Sequence, residues 1–160
     1  MDRLTPDERA RLGSLIARVD CNRVRLHRVS RPGLAGALRG GILWASRQRA
    51  VALGNHIFLP ERCATDLATL AHELTHCGQY QAWGRWRYYA RGVSAQLREL
   101  LYRTLHVGKS PYHYRIEDGK PFEAYGMEQQ GQIVEDSYRG DRAALAVSPF
   151  HPPSQDAPSA

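Results

Sequence analysis

The sequence predicts an α+β domain, with helices packed on a small sheet. Three observations carry this expectation. Apolar residues recur at helical spacing near both ends and in the middle of the chain. Short strand-like runs are confined to the stretch between Val24 and Leu59. The length of 160 residues suits one core. One domain over residues 1–147 is expected, followed by a Pro-rich disordered tail over 148–160 that carries Pro149, Pro152, Pro153 and Pro158 among small polar residues.

Thr5-Pro6-Asp7-Glu8 reads as a helix start. Thr5 is placed to cap, Pro6 fits the first helical position, and Glu8 completes a capping box. Leu12, Leu15, Ile16 and Val19 then share one face, so the helix is expected to reach about Val19. Val24 to Val29 partly alternates and reads as a strand that Pro32-Gly33 breaks. Gly33 to Gly41 is glycine-rich and reads as a loop. Ile42–Ala45 and Val51–Leu59 read as strands, the second bulged or turned at Gly54-Asn55 and ended by Pro60.

A second helix is expected from Thr65-Asp66, with Thr65 as its cap and Leu67, Leu70, Ala71 and Leu74 on its apolar face. Gly78 is its weak point, and Gln79 to Trp83 continue it. Trp83 to Tyr89 is aromatic and basic, and reads as a loop packing its rings on the core. Ser94 to His106 has Leu97, Leu100, Leu101 and Leu105 on one helical face. Tyr112 to Ile116 is expected to be extended, and Asp118-Gly119 to turn. A last helix is expected from Pro121 through Asp136, with an unusually polar middle to its packing face. Buried polar groups need partners, and a metal is one such partner.

The second helix carries His72-Glu73-Leu74-Thr75-His76. Positions four apart lie one turn apart on one face, so the two imidazoles can grip one ion. Neutral imidazole nitrogens suit Zn²⁺, and the carboxylate of Glu73 is placed to take a proton from water at the metal. A catalytic zinc usually takes three protein ligands, and the motif supplies two. The short metzincin extension is absent, since Gln79, Tyr80 and Ala82 follow the motif. Downstream candidates for the third ligand are Glu99, Glu117, Glu123, Glu128, Glu135, His106 and His113. Glu128 is the best placed, mid-face between Tyr125 and Gln132, with Glu123 and Glu135 expected to point elsewhere.

The two motif regions together resemble a known group. His72-Glu73-Leu74-Thr75-His76 with Gln79-Tyr80-Gln81, then Tyr125-Gly126-Met127-Glu128-Gln129-Gln130 with Ile133-Val134, looks like a bacterial family of zinc metallopeptidase-like domains. Its members accompany contractile injection systems and Rhs- or Vgr-related proteins. The likeness covers roughly residues 50 to 138. It implies a minimal gluzincin-like core, in which His72, His76 and Glu128 bind zinc and Glu73 is the catalytic glutamate. It also implies secretion-system partners and export from the producing cell by a non-classical route. Cys77 departs from the bulky aliphatic usual at its position.

The leading expectation is therefore a zinc-dependent peptidase acting on a protein or peptide. Tyr112, His113, Tyr114 and Arg115 are candidate donors to the oxyanion, as polar groups between the two motif helices. Gln129 and Gln130 are candidates for orienting the ligands. The rival is a non-catalytic module of an injection apparatus, in which zinc is structural and His113 is a fourth ligand.

Composition narrows the field further. The N-terminus is charged from Met1 to Glu8 and has no apolar signal core, which points to a cytoplasmic origin. No apolar run approaches a membrane span. Three cysteines without Cys-x-x-Cys spacing argue against a disulfide framework and against a thiolate zinc site. The net charge of +6 comes almost wholly from arginine, since Lys109 and Lys120 are the only lysines. The arginines are scattered along the sequence, so nucleic acid is not the expected partner.

Overall fold

The computed structural model describes residues 2–29, 49–105 and 113–153. The expected loop at 33–41 and strand at Ile42–Ala45 lie outside them, as does Tyr112. The described part is α+β, with five helices and one mixed three-stranded sheet.

The first helix, α1, spans Pro6–Leu12 and starts as the capping box requires, with reciprocal bonds between Thr5 and Glu8. It is shorter than expected. Gly13 interrupts the α geometry, and Gly13–Arg18 winds on as a 3₁₀ segment. Leu12, Leu15 and Val19 still reach the core.

Strand β1 (Arg25–Val29) pairs in parallel with β3 (His56–Pro60), and β2 (Val51–Leu53) pairs with β3 antiparallel, giving the order β1-β3-β2. The expected strand over 51–59 is thus a hairpin, turned at Gly54-Asn55. β3 is the central strand, and its Ile57, Phe58 and Leu59 are all buried. A central strand covered on both faces reads as a continuous apolar run rather than an alternating one.

Helix α2 (Leu67–Trp83) is capped by Asp66, not Thr65: the Asp66 carboxylate accepts from the amides of Ala68 and Thr69. Gly78 does not interrupt it. Gly84 ends it at φ 77°, a left-handed conformation that a side chain would strain. Its amide bonds back to Tyr80, and its carbonyl accepts from Tyr88 in the next helix. One residue therefore replaces the expected loop over Trp83–Tyr89, and α3 runs from Arg85 to Leu105. Only part of the expected packing occurs: the buried Tyr88 meets Tyr80 and Tyr89 edge to face and donates its hydroxyl to Ala52 of β2, whereas Trp86 is exposed.

Pro121 opens a 3₁₀ turn, Phe122–Ala124, rather than the last long helix. Tyr125 is extended, and α4 (Met127–Tyr138) begins after Gly126. A short α5 (Arg142–Val147) follows, capped by Asp141. The chain beyond it does not leave the domain where the tail was expected. Ser148 and Phe150 are buried, Phe150 meets Phe122 edge to face, and the His151 amide bonds to Ser14. Residues 154–160 lie outside the described part. The core joins α1, the sheet, α2 and α4, and α4 lies directly against α2.

Candidate metal centre

His72 and His76 sit on the side of α2 that faces α4. Close approach of the helices depends on Gly131. A Cβ at that position would lie 2.8 Å from His72 Nε2 and 3.0 Å from its Cε1. The missing side chain is what leaves room for the imidazole edge.

Hydrogen bonds fix the state of both rings. His76 Nδ1 lies 2.8 Å from Gln79 Oε1. Gln79 in turn donates through Nε2 to the Met127 carbonyl (3.2 Å) and to Gln130 Oε1 (2.9 Å), so its oxygen must be the atom facing the histidine. His72 Nδ1 lies 2.9 Å from Glu135 Oε2. Both partners are acceptors, so each ring donates from Nδ1 and turns Nε2 inward. The two Nε2 atoms are 3.2 Å apart, and His76 Nε2 is 3.6 Å from Glu128 Oε2. One ligand atom from each of His72, His76 and Glu128 lies within 4.8 Å of the others. Atoms held about 2.0–2.1 Å from a tetrahedral zinc lie roughly 3.3 Å from one another. The spacing fits that ion.

The electrostatics also ask for a cation. Burial works against charge on Glu128, yet the His76 and His72 imidazoles hold its carboxyl below the usual range. Hydrogen bonding from His72 outweighs burial at Glu135, with Arg139 assisting, and lowers it too. At His76 burial is the largest influence and opposes the charged form. The Glu128 carboxylate beside it, with Glu73 and Gln79, overcomes burial and lifts the imidazole to about 9. A divalent ion placed between His76 and Glu128 would compete with a proton for the same position.

Glu73 is nearly sealed off, with 6% of its surface exposed. Burial pushes its carboxyl up, partly offset by His72 and His76. Its Oε2 has no hydrogen-bond partner among the described residues. This buried oxygen stands beside the cluster formed by His72, His76 and Glu128.

The other predicted residues divide. Gln130 does act on the ligands, at one remove. It accepts from Gln79 and donates to the Tyr125 carbonyl at 2.9 Å. Gln129 does not. Its Oε1 accepts from the Gly126 amide, and its Nε2 donates to the His113 carbonyl. His113 and Arg115 are exposed, and the Tyr114 hydroxyl is committed to Asp136 at 2.6 Å. Among the described residues none of these three bonds to His72, Glu73, His76 or Glu128, and His113 does not join the ligand group; Tyr112 lies outside the described residues. Among the other third-ligand candidates, Glu117 and Glu123 are exposed, His106 lies outside the described residues, and Glu135 is turned inward to His72 rather than away as expected.

Two contributors were missed from sequence. Gln79 orients His76, and a polar residue three positions after a ligand on a helix was the available signal. The second is a chain of charges behind His72. Glu135 is held by Arg139 at 2.8 Å, and Arg139 reaches Asp66, the cap of α2, at 2.9 Å. The Glu135–Arg139 spacing is legible in the sequence, but its target is not.

With this geometry in view, comparison with known proteins is specific on one point. Residues 9–84 match the family model described as the eCIS core domain. The matched stretch is just under half of the chain, and it links the protein to contractile injection systems, as the sequence resemblance implied. It includes all of α2 with His72, Glu73 and His76, contains nothing of α4, and stops before Glu128. The description names an injection-system core and not a peptidase. No curated protein and no solved structure matches the chain. Among the described residues, no helix is long and apolar enough to cross a membrane.

Proposed function

We propose that the chain is a zinc-dependent peptidase that works with a contractile injection system, on a protein or peptide substrate. His72, His76 and Glu128 would hold the ion. Bound there, zinc would polarise a peptide carbonyl and acidify a water molecule. Glu73 accepts the water proton and passes it to the leaving amine. Glu135 and Gln79 keep the two imidazoles aimed throughout. The observation that carries this reading is the convergence of two Nε2 atoms and one carboxylate oxygen beside the unpartnered Oε2 of Glu73.

The test separates ligand from base. The purified chain is expected to carry about one zinc, and His72→Ala or Glu128→Ala to lose most of it, since two side chains rarely hold zinc tightly. Glu123→Ala, at an exposed position, retains it. Glu73→Gln retains zinc and loses peptide cleavage, because an amide cannot accept the proton. Cleavage at the undiminished rate by Glu73→Gln would overturn the mechanism.

The depth of the site favours a second reading, a zinc-stabilised module of the apparatus without catalysis. His72, Glu73 and His76 are each less than a tenth exposed. In that case Glu73→Gln changes thermal stability and nothing else. Either reading is compatible with export through the injection system.

A further inference from the structure

Helix α3 is amphipathic in a way the metal centre does not use. Tyr88 and Ala95 turn inward and are buried. On the opposite side, Trp86, Val93 and Leu97 follow at intervals of seven and four residues and fall on one stripe. They are 79%, 68% and 55% exposed, and Tyr89 adds to the edge. The sequence pattern groups Leu97 with the leucines of one apolar face. The structure turns it outward.

The stripe is bordered by Arg85 and Arg87, about 100° to either side of Trp86 around the helix. Arg85, Arg87 and Arg91 are exposed along the same helix. The Arg85 guanidinium lies over the Trp86 ring at 5.2 Å, and that of Arg91 over Trp83 at 4.2 Å. No acidic residue stands between Glu73 and Glu99 in the sequence. An apolar line flanked by arginines and free of acids is complementary to a surface that is apolar inside and anionic at its rim.

We propose that the outward face of α3 docks on an anionic lipid bilayer. Trp86, Val93 and Leu97 enter the boundary between headgroups and acyl chains, and the arginines reach lipid phosphates. A second copy of the chain is disfavoured, because it would set arginines against arginines. Nucleic acid is disfavoured as well: guanidinium groups already cover the indole faces, and the aliphatic Val93 and Leu97 have no partner on a base. The outward side of one helix is convex, which suits a deformable planar surface better than a partner's flat face.

The test is flotation of the 160-residue chain with vesicles of phosphatidylcholine, with and without phosphatidylglycerol. The chain is expected to float with the anionic vesicles and at least about tenfold less with the neutral ones, the difference shrinking at high salt. Val93→Ser/Leu97→Ser is expected to lower binding about tenfold or more, while helix content stays unchanged because both positions are exposed. Arg85→Gln/Arg87→Gln/Arg91→Gln is expected to bring anionic binding down to the neutral level. Tryptophan emission should shift to the blue on binding, and Trp86→Phe should remove the shift. Absence of flotation would overturn the proposal, as would undiminished binding by Val93→Ser/Leu97→Ser. So would retention of a labelled oligonucleotide without retention of anionic vesicles, which would assign this face to nucleic acid.

Discussion

At the scale of single residues, the site depends on where two protons sit. Gln79 and Glu135 each hold one on an outward Nδ1, so that Nε2 of both rings faces the cluster. Glu135 is the stronger orienting group, because it accepts the Nδ1 proton as a carboxylate, a charge-assisted hydrogen bond. Glu135→Gln is therefore expected to weaken zinc binding roughly 10–100-fold without abolishing it. The amide can still accept through its oxygen, so a partial loss, read by competition with a chelator, distinguishes orientation from ligation. A loss as complete as that of His72→Ala would make Glu135 a ligand instead.

The same residues show what could be read in advance. His72, Glu73 and His76 announce themselves, because ligand spacing on a helix follows from the helix alone. Glu128 was legible as a polar position on a packing face. Glu135 was not, because its role depends on the approach angle of α4 and on Arg139 holding its other oxygen. The direction of Tyr114 was not legible for a related reason. Being polar and lying between two motif helices did not fix direction, and Tyr114 turned to Asp136.

At the scale of elements, the meeting of α2 and α4 depends on a residue with no side chain. Gly131→Ala would place a methyl 2.8 Å from His72 Nε2. It is expected to displace the imidazole, cut zinc affinity by more than about tenfold, and cost roughly 1–3 kcal/mol of stability. Gly92, in α3, has open space where a methyl would stand, with nothing within 4 Å of it, and no strained φ. Gly92→Ala is therefore expected to leave zinc untouched and to stabilise the helix slightly, by up to about 1 kcal/mol. Equal effects of the two substitutions on zinc, measured by calorimetry, would refute the close-approach account.

The cap of α2 gives a pH dependence. Burial would raise the Asp66 carboxyl, but hydrogen bonds from Thr69 and Arg139 outweigh it and lower it below 3.8. A group with a depressed folded value stabilises above its unfolded value and loses that contribution as pH falls through the folded one. Asp66→Ala is expected to cost about 1 kcal/mol near neutrality, the usual worth of an N-cap. The difference from the parent should shrink as pH drops below 3.8. A difference independent of pH, in denaturant melts across that range, would assign the cost to something other than charge. Element boundaries were otherwise the least legible part of the sequence. Asp66 displaced Thr65 as cap, and Gly84 compressed a supposed loop into one residue, because both outcomes depend on backbone dihedrals that composition only biases.

At the scale of the whole molecule, the fold class was legible because strand-like runs cluster early and helical periodicity dominates later. The seam between the chain ends was not. Phe150 looked like part of a polar tail, yet it packs on Phe122, and the neighbouring His151 amide bonds to Ser14. The proposed zinc would span the molecule in the same sense, tying α2 to α4. Chelation at neutral pH is expected to lower the melting temperature by roughly 5–10 °C at modest metal excess. A melting temperature indifferent to chelator in a zinc-loaded sample would argue that the three groups do not share an ion.

The division of ligands between the two halves has a consequence for biosynthesis. Two ligands and the proton acceptor lie in the stretch that matches the eCIS core, while Glu128, Gln130 and Glu135 come from α4. A growing chain that has emerged only as far as Gly84 presents the histidines without their third ligand or the carboxylate that aims His72. If the three groups share an ion as proposed, its tight uptake would wait until α4 has left the ribosome and docked. Any hydrolytic capacity of the proposed site would thereby be withheld from the nascent chain until α4 has docked.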